Sequence, residues 1–298
     1  MEHKILHTRF CGAQRDKQST RFCGAPRRAP LESETSKALR RLCPFEEGAR
    51  FCGALRDKQS TMNLTHFFLG LLEGNGSIQV NHWKKTTPQF RIVIKLKYTQ
   101  HNYNMLIKLR DHLKCMKVHV RHNAVLLIEN DKKALHKLCI LFDKHPFLTQ
   151  HKRKQYAFFK YCLQNTPTFS EYMGLKSGNI QFPYTINHMD AEQIVASSYY
   201  SGWVAGFIEA EGCFCVRKNT TQSFSIGQKN DASIVLSIKY FFGFQNKVQH
   251  KKQNMYVLEG SHRHVLGKLI EFLQKYPLLG EKRVSFEKFV QRYNMPKK

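Results

Sequence analysis

The chain changes its hydrophobic period several times after residue 62, and the changes come in the same order twice. Leu64–Glu73 is apolar at nearly every position, the pattern of a helix buried all round. Ser77–Trp83 and Gln89–Tyr98 alternate with period two, which predicts two strands joined by the Lys84–Pro88 turn. Asn102–Leu113 returns to the helical period. Lys117–His122 and Ala124–Asn130 predict a second hairpin, and Lys132–Phe142 and His151–Leu163 two more helices. The second half retraces this: an apolar helix ending at Glu211, strands at Cys213–Lys218 and Gln222–Gln228, and a helix at Ser233–Phe242. Strands at Lys247–Lys251 and Met255–Gly260 and helices at His264–Lys275 and Lys282–Tyr293 follow. The pattern predicts an α+β protein built from two αββαββα repeats at 62–165 and 198–298. A linker at 166–197 has no counterpart in either repeat.

Small residues mark one face of the two apolar helices. Gly202, Gly206 and Ala210 recur every four positions, and Gly70 and Gly74 match the last two. Faces of this kind let two helix backbones approach closely. The two helices are therefore expected to pair along them, bringing both C-terminal ends to one place. Those ends carry Glu73 in one helix and Glu209 and Glu211 in the other, although a carboxylate is unfavourable at the negative end of the helix dipole. Gly76 and Gly212 follow directly and read as glycine stops. Gly74 and Gly76 form a loose G-x-G. The order here is helix, glycines, strand, the reverse of a dinucleotide-binding fingerprint, which excludes that reading.

Residues 1–61 have a different texture. "TRFCGAQRDKQST", "TRFCGAPRR" and "ARFCGALRDKQST" are near-copies at irregular spacing, with too few apolar residues to stack as a solenoid. They read as a disordered leader, translated from repetitive DNA ahead of an older start at Met62. Thirteen basic against seven acidic residues there give +6 of the total net charge of +26, which leaves +20 for the rest. A field of that size implies a polyanionic partner, nucleic acid before membrane surface. Nine cysteines without a CxxC pair argue against a disulfide framework or a zinc finger. Cys213 and Cys215, two apart, read as strand residues and not as half of a metal site. No apolar run is long enough to span a bilayer.

"VAGFIEAEG" (204–212) and, more weakly, "FLGLLEGNG" (68–76) resemble the signature of the LAGLIDADG homing endonucleases and related intron maturases. Two motifs in one chain resemble the single-chain, monomeric branch of that family, over roughly residues 62–298. The resemblance implies a two-lobed β-saddle that grips double-stranded DNA and a divalent cation, Mg²⁺ first, at the scissile phosphates. The cation would be held by the last acid of each motif. That role falls on Glu211 and, in the first half, on Asn75, whose amide brings an oxygen but no charge. Losing a charged ligand is expected to weaken one metal position, and cleavage slow or biased to one strand follows. A second echo pairs "HPFLTQHKRKQYAFF" (145–159) with "YPLLGEKRVSFEKF" (276–289). The family places a basic residue after this turn, and Lys152 and Lys282 match best. A solvated helix face remains the competing reading for both. An organellar gene, chloroplast or mitochondrial, is implied as well.

A two-stranded ribbon fits the major groove, so alternation selects the reading side chains. In the first half these are Ser77, Gln79, Asn81, Arg91, Lys95 and Lys97; in the second, Cys215, Arg217, Ser223 and Ser225. The two sets differ at nearly every position, which predicts an asymmetric or only roughly palindromic target. Two other functions stay open at this point. One is an intron RNA maturase on the same fold; the other is a DNA-binding or decaying reading frame without catalysis.

Overall fold

The computed structural model of the chain describes residues 63–83, 87–183, 185–217 and 221–295. The leader repeats and most of the Lys84–Pro88 turn lie outside them. The first apolar run forms helix α1 (Leu64–Asn75), opened by Asn63, whose side chain accepts from the Thr65 backbone N–H. Strands β1 (Gly76–Trp83) and β2 (Thr87–Lys97), helix α2 (Gln100–Leu113), strands β3 (Lys117–Arg121) and β4 (Ala124–Glu129), and helices α3 (Lys132–Lys144) and α4 (Gln150–Asn165) follow. After two short helices, α5 (Phe169–Ser177) and α6 (Ala191–Val195), the order returns: α7 (Tyr200–Glu211), β5 (Cys213–Val216), β6 (Gln222–Lys229), α8 (Ala232–Phe242), β7 (Gln249–Lys251), β8 (Met255–Gly260), α9 (Arg263–Lys275) and α10 (Lys282–Asn294).

Among the described residues the strands form two four-stranded antiparallel sheets of one topology, β1-β2-β4-β3 and β5-β6-β8-β7. One face of each sheet is the core. Ile78, Val80, Phe90, Ile92, Ile94, Val125 and Leu127 are buried in the first sheet, and Phe224, Ile226 and Leu258 in the second.

Helices α1 and α7 join the halves backbone to backbone. A Cβ added to Gly70 would stand 1.9 Å from the Trp203 carbonyl oxygen, and one on Gly206 2.0 Å from the Phe67 carbonyl oxygen. At the far end, a Cβ on Gly74 would meet the Ala210 methyl at 2.3 Å; at the near end, one on Gly202 would meet His66 Cβ at 2.6 Å. Only glycine permits such contact. The contacts are reciprocal, because each residue touches the partner of its own repeat equivalent, and the chain is pseudo-two-fold about this helix pair.

Two expectations change. Gly76 and Gly212 stop their helices with extended, not left-handed, backbone (φ −93° and −66°). Glycine is needed there for space instead: a Cβ would fall 2.5 Å from the Leu72 carbonyl oxygen or 2.8 Å from that of Ile208. The strand expected at 247–251 shortens to Gln249–Lys251. The 166–197 linker holds α5 and α6, each opened by a reciprocal capping box, Thr168 with Glu171 and Asp190 with Gln193. No described helix is long and apolar enough to cross a membrane.

Candidate active site

Glu211 and Asn75 end the two paired helices, whose last turns meet at Gly74 and Ala210. The Glu211 side chain lies over Gly74, the neighbour of Asn75, with Oε1 3.3 Å from where a Gly74 Cβ would be. Both residues are half-buried. Neither the Glu211 carboxylate nor the Asn75 amide takes a hydrogen bond from another described residue. Burial raises the Glu211 carboxyl above the usual carboxylate range, against the pull of the Lys282 and Lys152 ammonium groups.

Those two lysines take equivalent places. Lys152, in the first turn of α4, donates from Nζ to the Gly76 carbonyl at 2.5 Å; Lys282, first residue of α10, donates to the Gly212 carbonyl at 2.5 Å. Each ammonium is thus pinned to the last glycine of the motif in its own half. Lys152 is buried and Lys282 half-buried, so neither belongs to a solvated helix face. Burial pulls Lys152 below the ordinary lysine value, opposed by the charges of Glu73 and Glu211.

The acids two positions earlier do not face this cluster, in keeping with the ~200° turn between positions i and i+2. They hold the lysine helices. Buried Glu73 accepts from the backbone N–H groups of Leu148 (3.0 Å) and Thr149 (2.6 Å), just ahead of α4. Glu209 accepts from Leu279 (3.0 Å), Gly280 (3.1 Å) and Lys282 (3.1 Å) at the start of α10. A carboxylate at the negative end of one helix is therefore compensated by the positive end of another. Across the pseudo-two-fold, the Trp203 indole N–H also donates to Glu73 at 2.6 Å. Burial nevertheless pushes Glu73 up to about 7, and it raises Glu209 too. The sequence signals these acids by setting them against the dipole, but it does not name their partners. Trp203, and Tyr199, whose hydroxyl donates to the Pro146 carbonyl, were not legible as contributors.

The donor set fits one hard cation better than two. It holds one carboxylate oxygen pair (Glu211) and one neutral amide oxygen (Asn75), and hard divalent cations favour charged oxygens. Among the described residues no group of three or more His, Cys, Asp or Glu side chains converges anywhere. Cys213 and Cys215 are free thiols on a strand.

The outward sheet faces begin at this cluster, since β1 follows Asn75 and β5 follows Glu211. In the first sheet Asn81, Arg91, Lys95 and Lys97 are exposed; Ser77 and Gln79 are half-buried and bonded to each other (Gln79 Nε2 to Ser77 Oγ, 3.0 Å). In the second, Cys215 pairs with Ser223 across the strands and Ser225 with Cys213, so all four share one face. Two of the second-half positions differ from expectation. Ser223 is buried, 3% exposed, too deep to reach a base edge as it stands. Arg217 is exposed, but it is ion-paired with Glu259 at 2.9 Å, a carboxylate on the same outward face.

Two similar lobes around glycine-faced helices, with a carboxylate, an amide and two lysines where those helices end, define a pseudo-symmetric two-motif protein. The chain belongs to the LAGLIDADG endonuclease family, whose model matches residues 68–163 and 204–293. It is 38% identical over 237 residues to a probable intron-encoded endonuclease of Dictyostelium citrinum, covering 77% of this chain and 95% of the relative. It is 32% identical to one of Debaryomyces hansenii, of which it spans 37% of the length. Among solved structures the LAGLIDADG homing endonuclease I-GzeII in complex with its DNA target shares the fold. The TM-score is 0.64 at 18% identity, over 79% of this chain and 91% of that one.

Proposed function

We propose that the protein is a site-specific, divalent-metal-dependent endonuclease for double-stranded DNA, encoded within an organellar intron and acting as a monomer. The observation that carries this is Glu211: a half-buried carboxylate with no hydrogen-bond donor among the described residues, set against Gly74, the neighbour of Asn75, and in the field of Lys152 and Lys282. Similarity to intron-encoded endonucleases and to a DNA-bound meganuclease supports the same reading.

In this reading the outward faces of the two sheets hold the duplex and set its register, with Arg91, Lys95 and Lys97 supplying charge in the first half. Glu211 and Asn75 supply the oxygens for a cation at the scissile phosphates, where it would polarise the phosphoryl oxygen and lower the pKa of an attacking water. Lys152 and Lys282 place ammonium groups beside the same phosphates, where negative charge grows as the P–O bond breaks. Asn75 leaves the cluster one negative charge short of a two-carboxylate site, and one strand is cut more slowly than the other.

Cleavage of a supercoiled plasmid carrying the intronless form of the flanking gene tests this. Nicks preceding linear product, abolished by EDTA and by Glu211→Gln, are expected, and Asn75→Asp speeds conversion to the linear form. Tight binding without strand breaks at any metal concentration overturns the enzyme reading. The charge missing at Asn75 favours the maturase as the second reading, which gel shifts preferring intron RNA over this duplex would support.

A further inference from the structure

The two lysine helices, α4 and α10, have no side-chain cap from their own N-cap residues, Thr149 and Glu281. A helix start with orphan N–H groups in a buried turn needs outside acceptors. Glu73 and Glu209 supply some from within each half. One more for each helix comes from the opposite half. The Gln150 N–H, the first of α4, donates to Asp231 Oδ2 at 2.8 Å, and Asp231 begins α8 of the second half. The Glu281 N–H, at the start of α10, donates to Asn102 Oδ1 at 2.9 Å, and Asn102 lies in α2 of the first half. Asp231 and Asn102 are both buried, 5% and 8% exposed. Gly280 lets the second contact form: a Cβ there would stand 2.7 Å from both Asn102 Oδ1 and Glu209 Oε1.

The donors, Gln150 and Glu281, hold equivalent places in the repeat, and the acceptors lie at the starts of the equivalent helices α8 and α2, Asp231 as the N-cap and Asn102 three positions past the N-cap Thr99. Neither acceptor is hydrogen-bonded to Glu211 or Asn75; Asn102 also donates from Nδ2 to the Lys97 carbonyl at 3.0 Å, where β2 ends. What each one fixes is the first turn of a helix whose lysine sits one or two residues later, with its ammonium on the motif glycine. We propose that Asp231 and Asn102 are reciprocal positioning residues: each half sets the lysine of the other, Asp231 acting on Lys152 and Asn102 on Lys282. A cleavage site in one half would then be complete only when the opposite half is folded against it, which links the two strand cuts. The functional part of this inference rests on the assignment of the lysines to the cleavage sites.

Two readouts separate the inference from that assignment. The first is competitive acetylation of lysines in the full chain, read by mass spectrometry, without DNA. Asp231→Ala is expected to raise labelling of Lys152 about fivefold, the effect of losing one helix-capping acceptor, and to leave Lys282 unchanged. Asn102→Ala is expected to do the reverse. Asp231→Asn, which keeps an acceptor, restores the wild-type pattern. Because Asp231 also caps its own helix through Ile234, Asp131→Ala serves as control: Asp131 caps α3 at Ala134 with no contact across the halves, and its loss leaves both lysines as in wild type. Equal labelling changes at both lysines, none at either, or the same change in the control overturns the proposal. The second readout is strand-resolved cleavage of the intronless-site plasmid. The two alanine variants slow opposite strands, each by about tenfold or more. Equal slowing of both strands overturns the link to cleavage. If wild type cuts neither strand, the nuclease assignment fails, and the labelling pattern alone decides the positioning role.

Discussion

The indole N–H of Trp203 donates to the carboxylate of Glu73 at 2.6 Å, across the helix pair that joins the two halves. It is an asymmetric bond in a nearly symmetric interface, since the repeat equivalent of Trp203 is Phe67 and, among the described residues, Glu209 receives only backbone donors. Hydrogen bonds to charged groups are worth about 1.5–3 kcal/mol. Trp203→Phe restores the symmetry and removes the bond, and it is expected to lower unfolding free energy by about 2 kcal/mol. Denaturant unfolding monitored by far-UV circular dichroism measures this. An equally stable variant would mean that the buried acid needs only its two backbone donors.

Glu73 also gives stability a definite pH dependence. Its folded value of about 7 lies above the ordinary 4.5 because burial disfavours the charge more than its donors favour it. A group raised on folding binds its proton more tightly in the native state. Its contribution is therefore full below about pH 4.5 and is lost as pH rises through about 7. Glu73→Gln cannot titrate. The stability of wild type relative to this variant is expected to grow as pH falls from about 7 to 4.5, by at most ~3 kcal/mol. Paired thermal melts across that window test the sign, and a difference that shrinks toward low pH contradicts it.

The glycine faces make a steric prediction. A Cβ on Gly206 would overlap the Phe67 carbonyl oxygen at 2.0 Å, a backbone atom that cannot rotate away. Gly206→Ala must separate the helices. It is expected to cost at least the ~1–3 kcal/mol of an overpacked core, and to misalign Glu211 with Asn75. Ala210→Gly only relaxes the contact with Gly74 and costs about 1 kcal/mol, the helix-propensity difference. Parallel unfolding curves for the two variants separate sterics from propensity.

Much of this architecture was legible because period and spacing carry it. The switch from helical to two-residue period after Asn75 and after Glu211 marks each motif, and glycines four apart mark the shared face. The capping boxes at Thr168 and Asp190 were also in the sequence; they would have placed α5 and α6, but neither short helix has an apolar stripe that attracts notice. What pattern could not show are contacts made by the tertiary fold. The burial of Lys152 depends on α4 closing over the Gly76 carbonyl. The backbone partners of Glu73 lie 75 and 76 residues away, and Trp203 130. Ser223 alternates correctly yet is covered, because alternation assigns a face and not a depth.

The outward sheet faces predict an unequal division of electrostatic work. In the first half Arg91, Lys95 and Lys97 are exposed and none has an ion-pair partner among the described residues. In the second, Arg217 already faces Glu259 at 2.9 Å, so a phosphate that approaches it gains little net charge. Neutralising about eight phosphates gives a slope of log K against log salt near −7. Replacing Lys95 and Lys97 together with alanine should reduce that slope by about 2, uniformly across DNA sequences. Arg217→Ala should move it by less than about 1, and Glu259→Ala should tighten binding by freeing Arg217 for the duplex. Fluorescence anisotropy with a labelled duplex of the intronless site, between 50 and 300 mM salt, measures all three slopes. A loss at Arg217 as large as at a first-half lysine would show that DNA displaces Glu259, and that the second sheet carries its full share of the charge.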